Sequence, residues 1–382
     1  MAKVLIFTSH GGGGHISASN AIIEYLKDEH QAYSVALFRD VLPPMDPFRI
    51  MTFNTMDCEE AYNFFLRRKW SRAINLLCLS GLWSIPFVKW KVKKLLIPFL
   101  QKENPDLIIS VIPIVNGVLN EVARSMNIPF LIIPTDLDTS TFIHNVHPKT
   151  NDKFFVGLPF NDPAIWKIAD KACVYKNQID VSGFPLRPSF FEPKNIEALK
   201  EEFHLPKNKP IIFLLMGAVG SEALYRYVQE LKEIKTPFHL IVCLGRNEEL
   251  RMRINEIPLP PHVTLSLIGF TERIADLMAV SDLCITKAGS VSVAESIYMN
   301  KPTLLDCTAK SLMWEDFNIH FIREHKFGLS LCKLKNLKSV VSDFLAHPSK
   351  AKEIEKNLAN FPKQNFSRTI TDVVNKMLSF NK

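Results

Sequence analysis

The chain has 382 residues, a prior of two or three domains at roughly 150 residues each. Hydrophobic residues make up 47% and charged residues 22%, which suits ordinary globular cores and excludes a disordered or fibrous chain. The 46 Lys and Arg against 39 Asp and Glu give a net charge of +7, which favours an anionic partner without naming one.

The seven cysteines (Cys58, Cys78, Cys173, Cys243, Cys284, Cys307 and Cys332) are scattered and form no C-x-x-C pair. This argues against a disulfide framework and a zinc site, and for a reducing, cytoplasmic compartment. The opening apolar run, Val4–Phe7, is too short for a signal-peptide core. The longest charge-free apolar stretch, Ile74–Val88, contains Gly81 and Pro86 and falls short of the roughly 20 residues a membrane span needs. No spanning segment is expected.

Val4–Thr8 reads as a buried parallel strand. Gly11–Gly14 follow it, and Ala18, Ala21, Ile22, Tyr25 and Leu26 then repeat as one helical face. The window from Ala61 to Lys102 holds nine basic residues (Arg67, Arg68, Lys69, Arg72, Lys89, Lys91, Lys93, Lys94, Lys102), no acidic one, and Trp70, Trp83 and Trp90. Cations interleaved with tryptophan and leucine suit an anionic membrane surface, and no nucleic-acid motif accompanies them. A solvated helix face beside a core is the plainer alternative.

Further strands are expected at Leu107–Ile112 and Phe130–Ile133, separated by a helical pattern. Pro185, Pro188 and Pro193 mark a change of domain. The alternation restarts with Ile211–Met216, glycines at 217 and 220, and a helix from Glu222. Strands follow at His239–Leu244, Val263–Leu267, Leu283–Thr286 and Thr303–Leu305, and the tail from Ala351 reads as a polar helix on a surface. The pattern predicts an α/β protein of two doubly wound, Rossmann-like domains facing across a cleft, where ligands bind.

Three loops carry candidate chemistry. The first glycine loop is no dinucleotide fingerprint, because Ile16 stands where the last glycine belongs. At its end, His15 is either a capping histidine or a general base for a hydroxyl. Asp136 follows a strand, placed to orient a histidine or to cap the next helix. Asp136-Leu-Asp138 also matches a short metal-binding pattern, a signal too small to carry a metal site. After Leu283–Thr286, Gly289 allows a turn and Ser290 opens a helix whose N–H groups suit a pyrophosphate. Glu295 is placed either to accept two ribose hydroxyls or to complete a capping box with Ser292.

Taken in order, Ser9-His-Gly-Gly-Gly-Gly-His15, Pro134-Thr-Asp136, Gly183-Phe-Pro-Leu-Arg187-Pro188, Leu215-Met-Gly217, Gly245-Arg246-Asn247, Gly269-Phe270-Thr271, Thr286-Lys-Ala-Gly289, Ala294-Glu295 and Glu315-Asp316 with Asn318 resemble a GT-B glycosyltransferase of family 28. The branch is that of the monogalactosyldiacylglycerol synthases and processive diacylglycerol glucosyltransferases. The resemblance implies inverting transfer of a hexosyl group from a UDP-sugar to a membrane lipid hydroxyl, with diacylglycerol as acceptor. The enzyme is then peripheral on the cytoplasmic membrane face, held by residues 61–102, with no metal, no tightly bound cofactor and no nucleic-acid partner. It implies an acceptor and membrane domain over 1–185, a UDP-sugar domain over 186–355, and a C-terminal helix over 356–382 returning to the first domain.

Residue by residue, His15 and Asp136 match the family's catalytic pair, and Gly217 and Gly220 the loop facing the donor phosphates. Gly269 and Phe270 match the turn that holds uracil, Gly289 and Ser290 the helix start under the pyrophosphate, and Glu295 the ribose acid. Glu315 and Asp316 match the acids near the donor sugar. Gly13, Gly14, Arg187, Arg246 and Asn247 complete the donor-binding set. Ser290 and Trp314 depart from the pattern, standing where relatives carry a proline or glycine and a glutamine. Three other readings are an undecaprenyl-linked GlcNAc transferase, a UDP-sugar 2-epimerase and a non-catalytic relative. The basic window argues against the epimerase.

Overall fold

The structure, a computed structural model, describes residues 1–68, 70–147, 153–172, 174–217 and 222–380, without the side chain of Arg67. Gly220, Lys69 and Cys173 lie outside the described residues. The chain divides into two compact units, Met1–Pro188 with Pro362–Lys382, and Ser189–Phe361.

The first unit runs β1 (Lys3–Thr8), α1 (Gly14–Leu26), β2 (Gln31–Ala36), α2 (Pro47–Met51), α3 (Cys58–Arg67), α4 (Ser71–Glu103), β3 (Leu107–Ser110), α5 (Asn116–Ser125), β4 (Phe130–Ile132), α6 (Ser140–Ile143), β5 (Phe154–Gly157), α7 (Pro163–Lys171) and β6 (Ile179–Asp180). Its sheet is parallel throughout, in the order β2-β1-β3-β4-β5-β6. Strands β3, β4 and β5 are buried on both faces, so they read as continuous apolar runs. The chain leaves β1 toward β2 on one side and returns to β3 on the other, so the topological switch point lies between β1 and β3. In open α/β sheets, ligands bind beyond the strand ends at such a point.

Helix α4 has 33 residues and contains Pro86 and Pro98. By length and composition alone it could cross a membrane, contrary to the expectation of no spanning segment, because the helix continues past the charge-free run at both ends. Its two faces differ. Ile74, Val92, Leu96 and Leu100 are buried in the first unit, where Phe99 approaches Phe7 of β1 at 6.4 Å between ring centroids. Leu76, Leu79, Trp83, Phe87 and Trp90 are exposed. Their spacings of three, four, four and three put them on one stripe, away from the buried face. Helices α2 and α3 add Ile50, Met51 and Phe64 to the exposed apolar surface, and Phe53 follows α2.

The cations of the basic window are not equivalent. Lys89 and Lys93 pair with Glu121 of α5, at 3.1 and 2.6 Å. Lys91 lies over the Trp90 ring and Arg68 over Phe64 and Trp70. The absence of acids, true along the sequence, does not hold in space.

The second unit contains α8 (Ile196–Glu202), β7 (Ile211–Leu215), α9 (Ala223–Leu231), β8 (Phe238–Gly245), α10 (Glu248–Asn255), β9 (Val263–Gly269), α11 (Ile274–Ala279), β10 (Leu283–Lys287), α12 (Ser290–Tyr298), β11 (Thr303–Asp306), α13 (Met313–Glu324), β12 (Gly328–Leu331), α14 (Leu337–Ala346) and α15 (Pro348–Asn360). Its parallel sheet has the order β12-β11-β10-β7-β8-β9, which puts the switch point between β7 and β10. The expected pair of doubly wound α/β layers is therefore present.

The tail is not one polar surface helix. The chain breaks after α15 and forms α16 (Phe366–Ser379), which buries Phe366, Ile370, Val373, Val374 and Met377 in the first unit. There Phe366 meets Tyr25 of α1 edge-on at 6.0 Å, and Lys376 pairs with Asp180 at 2.8 Å.

Candidate active site

Helix α1 opens at Gly14, with Gly13 as its N-cap and Gly12 at φ +77°, a backbone conformation that favours glycine. This turn carries His15 over the switch point of the first sheet. His15 Nδ1 lies 2.8 Å from the Val111 carbonyl, just beyond β3, and 2.9 Å from Thr135 Oγ1, just beyond β4. A carbonyl can only accept, so Nδ1 carries the ring proton and Nε2 keeps its lone pair. Burial lowers the His15 pKa from 6.5 to about 4, opposed by the hydrogen bond to Val111. The imidazole is neutral at pH 7, with one nitrogen fixed and no described partner on the other. That is the state a proton acceptor needs.

Asp136 does not hold Nδ1. That nitrogen is held by Val111 and Thr135, because the chain leaving β4 turns the Thr135 hydroxyl to the ring. Asp136 is the next residue, partly buried, and its charge is felt by Cys78 of α4. The Cys78 thiol is pushed up to about 11, first by burial and then by Asp136. Behind Val111, Asn116 is fully buried. It donates to the carbonyls of Ile112 at 2.8 Å and Phe142 at 2.9 Å, and accepts from Ser110 Oγ at 2.6 Å. Thr135 was legible only as part of a motif, and Asn116 gave no sequence signal, since both act through contacts between separate strand ends.

In the second unit the expected donor residues gather at the carboxyl edge of the sheet. Gly217 follows β7, at φ +89° with open space around its Cβ position. Gly289 follows the neighbouring β10 and is the N-cap of α12, again with open space where a side chain would be. Because α12 begins at Ser290, Ser292 is its third residue and not its cap. The capping-box reading of Ser292 and Glu295 is thus removed. Glu295 is buried on α12. Asn318 of α13 donates to the Ala288 carbonyl at 2.7 Å and to Ser290 Oγ at 2.9 Å, which fixes the turn from β10 into α12. Buried Thr286 Oγ1 and Asn318 Oδ1 have no hydrogen-bond partner.

Gly245 and Gly269 pair at the ends of β8 and β9. The Arg246 guanidinium lies over the half-exposed Phe270 ring at 4.5 Å, while Asn247 caps α10 by accepting from the Leu250 N–H. Glu315 accepts from the Leu312 N–H at 2.9 Å at the start of α13. Burial raises its pKa, offset by that hydrogen bond and by Lys287. Asp316 is exposed and accepts from Ser311 Oγ. Gly13, Gly14 and Arg187, expected in the donor set, belong to the first unit. Among the described residues no group of three or more His, Cys, Asp or Glu could hold a metal ion.

Residues 211–311 match the glycosyltransferase family 28 C-terminal domain. Over 374 residues the chain is 28% identical to monogalactosyldiacylglycerol synthase 1 of Arabidopsis thaliana, covering 92% of this chain and 66% of the relative, so it spans about two-thirds of that protein. It is 26% identical to a processive diacylglycerol beta-glucosyltransferase of Bacillus licheniformis, covering 72% of this chain and 70% of the relative. Among solved structures it resembles Acinetobacter baumannii MurG, with a TM-score of 0.67 at 14% identity, covering 98% of this chain and 99% of the other. The last likeness concerns the fold.

Proposed function

We propose that this chain, a GT-B glycosyltransferase with a family 28 C-terminal domain, moves a hexosyl group from a UDP-sugar to the hydroxyl of diacylglycerol at a membrane surface. The observation that carries the reading is His15, held neutral at the switch point of the first sheet with Nδ1 committed and Nε2 open. Nε2 accepts the proton of the acceptor hydroxyl as its oxygen bonds to the anomeric carbon. The bond from that carbon to the diphosphate breaks in the same displacement, inverting the configuration, and UDP leaves.

The charge that develops on the departing diphosphate is met by the N-terminal N–H groups of α12, beside Gly217 and Gly289, where the backbone is open. Glu295 accepts the ribose hydroxyls, and Gly269, Phe270, Arg246 and Asn247 frame the base. Glu315 and Asp316, with Trp314 ahead of them, face the sugar and set which hexose is taken. The exposed stripe of α4, flanked by Lys91 and Lys94, seats the protein on an anionic leaflet from the cytoplasmic side.

Incubation with a panel of UDP-sugars and diacylglycerol vesicles, reading UDP release, product mass and anomeric configuration, tests the proposal. An inverted hexosyl-diacylglycerol is expected from one or two donors. Interconversion of UDP-sugars without lipid product, or no UDP release from any donor, overturns it.

A further inference from the structure

The glycine loop is held by a helix about fifty residues away in sequence. Glu59, Tyr62 and Asn63, at i, i+3 and i+4 of α3, turn one face toward Ser9–Gly12. Glu59 Oε1 accepts from Ser9 Oγ at 2.6 Å and from the His10 N–H at 2.9 Å. Asn63 Oδ1 accepts from the Gly12 N–H at 3.0 Å, and its Nδ2 donates to the His10 carbonyl at 3.0 Å. Ser9 Oγ in turn takes the Gly11 N–H at 3.1 Å. The Tyr62 ring lies 3.8 Å from where a side chain on Gly12 would begin. Three successive loop N–H groups are therefore spent on the protein, and none of them is left for a ligand.

Glu59 is 6% exposed, and its second oxygen has no hydrogen-bond partner. Both loop contacts of Glu59 go to Oε1, so the side chain is held here for its acceptor geometry despite the cost of burying a half-satisfied group. We propose that Glu59 and Asn63 are positioning residues for the transfer. They fix the path of Ser9–Gly12 so that α1 starts at Gly14 and His15 reaches Val111 and Thr135 with Nε2 presented. This rests on the reading of His15 as the base. A loop freed by about an ångström misplaces the base enough to cost on the order of a hundredfold in rate.

The test uses the full chain with Glu59→Ala, Glu59→Gln and Asn63→Asp. The glutamine variant keeps a carbonyl acceptor for both loop donors. Asn63→Asp keeps the shape but sets an acceptor against the His10 carbonyl. Glu59→Ala and Asn63→Asp are expected to lower kcat about 10- to 100-fold with the donor KM within about twofold, and Glu59→Gln to recover most of the rate. Amide hydrogen exchange at His10 and Gly12 should accelerate in the first two variants and stay slow in the third. Unchanged kcat, a rise in donor KM alone, or unchanged exchange in Asn63→Asp overturns the inference. Should Glu59→Ala fail to fold, Asn63→Asp carries the test. A wild-type chain without transferase activity refutes the base reading instead, while exchange still reports whether α3 holds the loop.

Discussion

Acidification should expose how His15 is held. The ring is neutral in the folded protein down to about pH 4, whereas an unfolded chain protonates it near 6.5. Between those values the unfolded state binds more protons, so stability rises with pH through the window and is lost as pH falls through it. Taking the two values at pH 4.5, the loss attributable to this one group is roughly 2–3 kcal/mol relative to pH 7.5. His239 on β8 is also lowered to about 4 by burial and by Lys209, and contributes in the same direction. Comparing wild type with His15→Ala removes that common part. Urea unfolding followed by fluorescence should show the variant losing roughly 2–3 kcal/mol less than wild type over the window. The ring proton of His15, assigned by its absence in the variant, should titrate near 4. The variant should lose transfer, by at least 100-fold, and keep most of its affinity for UDP, because Gly217, Gly289 and Glu295, proposed to hold the nucleotide, belong to the other unit. A stability difference that does not change with pH, or an imidazole titrating at 6.5, would refute the held neutral tautomer.

Two other expectations concern charge and the nucleotide. Lys91→Gln with Lys94→Gln should weaken binding to phosphatidylglycerol vesicles by about fivefold per residue, an effect that fades at high salt. Lys89→Gln with Lys93→Gln should change it far less, because Glu121 already balances both. Equal losses in a sedimentation assay would show that the helix meets lipid by a different face. Glu295→Gln should weaken UDP binding by calorimetry about 10- to 100-fold with little change in melting temperature, since a charged hydrogen-bond acceptor contributes about 1.5–3 kcal/mol. Undiminished affinity would remove Glu295 from the ribose site.

Much of this architecture can be read along the chain because parallel strands buried on both faces announce themselves. Val4–Thr8, Phe130–Ile132 and Ile211–Leu215 are continuous apolar runs for that reason. Strand β2, Gln31–Ala36, sits at the sheet edge with several exposed or half-exposed residues and offers no such run, and β6 has two residues. Glycines 217 and 289 could be named in advance, since a strand followed by glycine and a helix is a local pattern. The orientation of His15 could not. It depends on Val111 and Thr135, nearly a hundred residues or more away, brought together by the order of β1, β3 and β4. The same holds for Glu121, whose effect on Lys89 and Lys93 needs the packing of α4 on α5.

The two-sided build of α4 restricts how the proposed seating on lipid would work. At 1.5 Å per residue the helix is about 50 Å long, and its outward stripe covers roughly 80° of its circumference. Threading it through a bilayer would lift Ile74, Val92, Leu96 and Leu100 out of their seats and bare to water the apolar surface of the first unit that they cover, with Phe7 of β1 losing Phe99. In the proposed seating, a helix riveted on one side and greasy on the other would behave as a keel, floating lengthwise, setting the roll of the first unit and leaving yaw in the plane of the lipid as the free rotation.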